Sequence, residues 1–169
     1  MNKLIAFTGP IGSGKTTAAK ELYALGFMLI RFAGPLKAML CCLGLTKAHT
    51  DGDLKEVPCD LLGGATPRYA MQTLGTEWGR QMIGQNLWTD TWKRSVERNI
   101  KYCSIVVDDL RFPNELEAVK SFGGKVIMIE RGIETNQEHI SEQHTLSPDM
   151  IIFNTLSLES FKAAIRGLK

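Results

Sequence analysis

Between a short apolar run, Leu4 to Thr8, and a stretch with helical spacing, Thr16 to Leu25, lies the octapeptide Gly9-Pro10-Ile11-Gly12-Ser13-Gly14-Lys15-Thr16. Its G-x-x-x-x-G-K-[ST] spacing constrains the fold more than any other feature, because it works only as the turn from a buried strand into a helix. The glycines let successive backbone N–H groups turn inward around phosphate oxygens. The helix that follows adds its unpaired N-terminal donors and the positive end of its dipole. The pattern implies a bound nucleoside triphosphate held by Gly9, Ile11, Gly12, Ser13, Gly14, Lys15, Thr16 and Thr17. Lys15 reaches the β- and γ-phosphates, and Thr16 offers its hydroxyl to Mg²⁺. A glycine-rich turn that merely precedes a lysine would lack the strand before it and the helix after it.

The rest of the chain repeats the alternation. Phe27 to Phe32 reads as a second strand, Pro35 opens a helix with Leu36, Met39, Leu40 and Leu43 on its apolar side, and residues 44 to 66 look irregular. Ser104 to Val107 is an unbroken β-prone run ending in Asp108 and Asp109. Pro113 opens a helix that runs to Gly123-Gly124, Lys125 to Ile129 forms another buried strand, Met150 to Phe153 a fifth, and Leu158 to Leu168 a closing helix. Strands alternating with helices predict an α/β fold: a five-stranded parallel sheet in a three-layer α/β/α arrangement, joined by right-handed crossovers. The 169 residues, 44% of them apolar, suit one domain with a continuous core.

Charge and cysteines narrow the partners. Twenty basic residues against 18 acidic ones leave a formal charge of +2, too even for a nucleic-acid or membrane partner held by bulk electrostatics, so anion recognition must be local. Cys41, Cys42, Cys59 and Cys103 show no zinc or disulfide spacing and read as reduced, buried thiols. With no leader and no apolar run long enough to span a bilayer, a cytoplasmic protein is expected.

A regulatory GTPase would carry N-K-x-D and D-x-x-G stretches, and neither follows the strand ending at Asp108. A motor or helicase would need more chain, so a compact unit favours a small-molecule kinase, which carries its own acceptor site. Pro67 to Gly84 is the place to look for it. With Thr66 as cap and Pro67 in the first turn, an α-helix of about 100° per residue puts Arg68, Gln72, Thr76 and Arg80 on one side and Met71, Leu74, Trp78 and Met82 on another. Gly75 and Gly79 flank the polar stripe at a cost of about 1 kcal/mol each against alanine, which implies a close approach there. Two arginines can clamp a phosphate and a glutamine amide can read a base edge; a solvated helix face accounts for the same spacing.

Three further segments carry a resemblance. Arg31-Phe32-Ala33-Gly34-Pro35-Leu36-Lys37, Gln72-Thr73-Leu74-Gly75-Thr76-Glu77-Trp78-Gly79-Arg80 and Asp109-Leu110-Arg111-Phe112-Pro113-Asn114-Glu115 resemble, in order and approximate spacing, the deoxynucleoside monophosphate kinases of bacteriophages. With the P-loop and the late His139-Ile140-Ser141-Glu142 segment, the likeness spans nearly the whole chain. It implies transfer of the γ-phosphoryl of ATP·Mg to a deoxynucleoside 5′-monophosphate, a helical acceptor section at about 32–100, and a lid at about 131–148. For a phage-encoded chain the location implied is the host cytoplasm. Small nucleotides are the implied partners, with no nucleic-acid polymer or membrane, and a homodimer is compatible with it. By the same carry-over Phe32, Lys37, Arg68, Gln72, Thr76, Glu77, Arg80 and Trp88 line the monophosphate site. Phe32 or Trp88 would stack on a base unless their rings belong to the core. Similar chains often place an aspartate where this one has Gly34, so any base duty would pass to Asp108 or Asp109, or the substrate geometry differs. A dephospho-coenzyme A kinase, which shares the P-loop form, and a non-catalytic nucleotide switch are the competing readings.

Phosphoryl transfer asks mainly for alignment and positive charge, which makes Lys15 and Arg111 the chief catalytic candidates. Arg111 lies just past a strand end, where ligands of open α/β sheets collect, and would hold the acceptor phosphate; an ion pair with Asp109 or Glu115 is its structural alternative. Asp109 would hold a magnesium-bound water or orient Arg111, and Glu115 suits the positive end of the helix opened by Pro113. In the lid, Arg131 would touch ATP, while His139 and Glu142 are lid residues or simply solvated ones. Asn154 would lie beside the adenine or cap the last helix.

Overall fold

A strand covered on both faces must bury every side chain, and all five residues of Leu4–Thr8 are buried. In the computed structural model, which describes residues 2–131 and 146–169, this run is β1, the middle strand of a five-stranded sheet. It is joined by β2 (Met28–Leu29), β3 (Ile105–Val107), β4 (Lys125–Glu130) and β5 (Met150–Phe153). All pairings are parallel, in the order β2-β3-β1-β4-β5, with Leu4 opposite Ile105 and Ile5 opposite Lys125. The order reverses at β1, so a crevice opens beyond its carboxyl end, where the P-loop begins.

Alternation along the strands divides the core. Leu4, Ala6, Ile105, Val107 and Val126 pack with Trp92 and Val96 of α5 (Leu87–Asn99) and with Ala118 and Val119 of α6 (Pro113–Ser121). Ile5, Phe7, Val106, Ile127 and Ile129 pack on the other face with Ala18, Ala19 and Leu22 of α1 (Lys15–Ala24) and with Phe161 and Ile165 of α7 (Leu158–Arg166). The result is the expected α/β/α layering, since a period of two sends neighbouring side chains to opposite faces.

The chain forms two compact units, Met1–Phe32 with Trp92–Lys169, and Ala33–Thr91. The first holds the sheet. The second holds α2 (Gly34–Cys42), with Pro35 in its first turn, α3 (Lys47–Thr50), two 3₁₀ turns at Asp53–Glu56 and Asp60–Leu62, α4 (Pro67–Thr73), a π-helical segment Leu74–Ile83 and the start of α5. No helix among the described residues is long and apolar enough to cross a membrane. The four thiols are free but not buried as expected, with Cys41 and Cys42 exposed.

Four local differences from the sequence reading have physical causes. The second strand is only two residues long, because Phe32 turns its N–H to the Asp109 carboxylate, 3.1 Å away, instead of to a neighbouring strand. Residues 44–66 are less irregular than expected, since Thr46 caps α3 through His49 Nδ1, 3.1 Å from its N–H. In α5 the sequence reading names only Trp88, whereas Trp92 of the same helix is 1% exposed in the core. The fourth lies in the expected α-helix from Pro67 to Gly84. Thr66 caps it as expected, accepting from the Tyr69 N–H at 3.2 Å, but after Thr73 the turn widens to π geometry, as in the Gly84 N–H to Gly79 O bond of 3.0 Å. The 100° stripe therefore does not continue through Thr76 and Arg80, because each π turn takes more residues than an α turn.

Candidate functional site

β1 ends at Thr8 and α1 begins at Lys15, so the P-loop is the turn between them. Gly9 has φ +129, and a Cβ there would sit 2.3 Å from the Ile129 carbonyl oxygen, so only glycine lets the loop pass β4. Gly14 caps α1 at φ 112. Ser13 is 2% exposed, and its buried Oγ has no hydrogen-bond partner among the described residues. An unsatisfied buried hydroxyl costs about 1–3 kcal/mol, and an oxygen-rich anion in the loop would supply what it lacks. Lys15 Nζ meanwhile folds onto the Gly9 and Pro10 carbonyls, 2.6 Å from each.

A cleft of about 360 Å³ opens from this loop, lined by Gly12, Gly14, Lys15, Thr16 and Thr17 on one side and by Arg131, Asn154, Leu156 and Leu158 on the other. Arg131 Nη1 lies 3.4 Å from the Gly12 carbonyl, and Asn154 Nδ2 donates to the Ser13 carbonyl at 2.8 Å. The last helix is capped by Ser157, which accepts from the Ser160 N–H, so the capping alternative for Asn154 does not hold. Asp149, at the other end of β5, lies outside the cleft. It accepts from the Val126 N–H at 2.7 Å and pairs with Lys120, and the Lys120 hydrogen bond first, then the Val126 amide, holds its pKa below the usual carboxylate range.

The adjacent carboxylates after β3 have different duties. Asp108 is 5% exposed and takes a forked pair of bonds from Arg31, 2.6 and 2.8 Å long, so both of its oxygens are engaged by that guanidinium. Asp109 is half-buried, with Oδ1 on the Phe32 N–H. Glu115 is 2% exposed and accepts from the Arg111 and Phe112 N–H groups at 2.8 and 3.1 Å. It is therefore the structural cap of α6 rather than a reacting group. The Arg111 side chain is half-buried.

A profile of the deoxynucleotide monophosphate kinase family matches residues 65–165. This chain belongs to that family. A protein of Acanthamoeba polyphaga mimivirus, assigned as a deoxynucleotide monophosphate kinase, is 34% identical over 180 residues, covering 96% of this chain and 93% of its own. Among solved structures, Mycobacterium tuberculosis APS kinase in complex with AMPPNP and APS has a TM-score of 0.53 at 11% identity. Dephospho-CoA kinase from Campylobacter jejuni has 0.50 at 19%. Each comparison covers 99% of this chain and 96% of the other, and at these identities the likeness speaks to the fold alone.

In the second unit of the kinase, the residues carried over to an acceptor site divide into two groups. Lys37 pairs with Asp51 at 2.6 Å, and Arg68 pairs with Glu56. Lys55, which the sequence reading misses, joins them. Burial first, then the charges of Lys37 and Arg68, hold its pKa below the ordinary lysine value. Its approach comes from a 3₁₀ turn with no sequence signature. Gln72 and Thr76 are half-buried, Glu77 is exposed, and Arg80 Nη1 lies 3.3 Å from the Gln85 carbonyl.

Both aromatic candidates are packed. Phe32, 2% exposed, stacks on Trp92 with centroids 4.5 Å apart, in the first unit. Trp88 is 4% exposed, and its Nε1 donates to the Gly75 carbonyl at 2.8 Å. A Cβ at Gly79 would meet that indole at 2.4 Å. The close approach expected at the two glycines is thus made by Trp88 and, at Gly75, by Leu36. His139, Glu142 and most of the expected lid lie outside the described residues.

Proposed function

We propose that this kinase transfers the γ-phosphoryl of ATP·Mg to a deoxynucleoside 5′-monophosphate, giving the deoxynucleoside diphosphate and ADP. The observation that carries the reading is the P-loop, where three glycines with positive φ bend the turn between β1 and α1 beside a buried serine hydroxyl that has no partner among the described residues, and Lys15 lines the cleft that opens from it. The family relationship supports the acceptor class. Gly9, Ile11, Gly12, Ser13, Gly14 and Thr17 would cradle the triphosphate, and Arg131 would lie along it. Lys15 would exchange its two carbonyl partners for β- and γ-phosphate oxygens, a stronger charge-assisted pairing.

The donor set suits Mg²⁺: Thr16 would hold it and Asp109 would reach it through a water, few protein ligands for an ion that keeps waters and phosphates for the rest. When bound, the metal supplies positive charge against the developing phosphates. The protein's share is to hold the triphosphate and the acceptor in line. Arg111, with Lys37, Arg68 and Arg80, would grip the acceptor phosphate, and Gln72, Thr76 and Glu77 would line the nucleoside. Phe32 and Trp88 would support this site from the core. With Asp108 bound to Arg31 and Gly34 lacking a carboxylate, Asp109 is the candidate for receiving a proton. Small nucleotides in the cytoplasm, and no nucleic-acid polymer, are the partners this reading requires, and sedimentation would report a homodimer directly.

The test is a panel of deoxynucleoside monophosphates, their ribo counterparts and dephospho-coenzyme A, each offered with ATP and Mg²⁺ while ADP is followed. Turnover should require a deoxynucleoside monophosphate, fall at least about 100-fold on Lys15→Ala, and drop with a raised KM for the acceptor on Arg80→Ala. ADP release without an acceptor, or preferred use of dephospho-coenzyme A, would contradict the reading.

A further inference from the structure

The P-loop peptide between Ser13 and Gly14 has two ways to face. A trans peptide points its C=O and N–H in opposite directions, so one orientation offers phosphate a donor and the flipped one offers it a carbonyl oxygen, which repels it. Gly14, at φ 112, has no Cβ to oppose such a flip. Nor does α1 hold the peptide. The first helical bond runs from the Ala18 N–H to the Gly14 carbonyl at 2.9 Å, which leaves the Ser13 carbonyl one residue outside the ladder.

That carbonyl is taken by Asn154, whose Nδ2 donates to it at 2.8 Å across 141 residues of sequence. Asn154 is itself fixed to the sheet, its N–H lying 2.6 Å from the Glu130 carbonyl at the end of β4. Gly14 leaves room for the amide, since a Cβ there would lie 2.7 Å from Nδ2. We propose that Asn154 is a positioning residue that locks the Ser13–Gly14 peptide with its carbonyl toward β5 and its N–H away from it. The phosphate cradle is thereby set before the nucleotide arrives. Asn154 acts on the phosphates through the backbone and does not read the base, although it lines the same cleft.

The inference rests on the assignment of this cleft to the donor nucleotide, and the two fail differently. Calorimetric titration of the full chain with ATP, GTP and inorganic tripolyphosphate separates them. Asn154→Leu, similar in size but without the donor, should weaken ATP and tripolyphosphate by the same factor, about five- to tenfold, the worth of one net hydrogen bond. The ATP to GTP ratio should not move. Asn154→Ala also removes the donor without adding charge and should weaken both ligands by the same factor, so it serves if the leucine variant does not fold. Weaker ATP with unchanged tripolyphosphate, or a shifted ATP to GTP ratio, would make Asn154 a base reader and overturn the proposal, as would unchanged affinity for all three. If the parent protein binds neither ATP nor tripolyphosphate, the donor assignment itself fails.

Discussion

Replacing Gly79 by alanine is the most exacting test of how the second unit is held together. On an ordinary helix Gly→Ala stabilises by about 1 kcal/mol. Here the new Cβ would lie 2.4 Å from Trp88 Nε1 and 2.6 Å from Cε2 and Cζ2, well inside contact distance. The indole is 4% exposed and cannot swing into solvent without leaving a hole, so ring or backbone must shift by about 1 Å. Overpacking of this kind costs about 1–3 kcal/mol. The shift also breaks the 2.8 Å bond from Nε1 to the Gly75 carbonyl, about 1 kcal/mol more. After the helix gain is set against these, Gly79→Ala should destabilise by about 2 kcal/mol. With a urea slope near 2 kcal/mol per molar, typical of small proteins, the midpoint should fall by about 1 M. Gly84→Ala is the control, because that residue is extended at φ 167 with open space around its Cβ position, so it should stay within about 0.5 kcal/mol of the parent. In a Trp88→Ala background the clash has no partner, and Gly79→Ala should become neutral or stabilising. A Gly79→Ala protein as stable as its parent, or an equal penalty in both backgrounds, would refute the account of Trp88 as the wedge that fills this glycine.

Two further outcomes follow from the ion pairs. Asp108→Ala should cost about 3 kcal/mol in urea denaturation, because it leaves the largely buried Arg31 guanidinium without its forked acceptor. Asp149 bears on pH: a carboxylate whose folded pKa is depressed contributes stability above its ordinary value of 3.8 and loses it as pH falls through the folded value. Since the Lys120 pair is substantially exposed, the contribution is under about 1 kcal/mol. Asp149→Asn should therefore melt a few degrees below the parent at neutral pH, with the gap closing below about pH 4; a gap that widens in acid would reverse the assignment.

Much of the fold was legible because its rules are local. Four of the five strands start and stop within about a residue of the apolar runs, and Pro35, Pro67 and Pro113 each open a helix, since a fixed φ and a missing N–H act on the same turn in any context. The P-loop was legible for the same reason: its function is a backbone conformation, and three glycines specify it within six residues.

What the sequence could not decide was the choice of partners. Nothing near Asp108 and Asp109 says that one serves Arg31 and the other the Phe32 N–H, both 77 residues away. Phe32 and Trp88 carry the same aromatic signal whether they stack on a base or on Trp92 and Gly79, and only packing in three dimensions assigns their faces. The π turn after Thr73 carries no sequence signature either, and Trp88 Nε1 donates to the Gly75 carbonyl within it. Sequence by itself determined four of the five strands, the helices opened by a proline and the glycine turn between β1 and α1, because those follow from a few neighbouring residues. Tertiary structure decided which side chains are left to meet a ligand, because that depends on which groups the core and the ion pairs have already claimed.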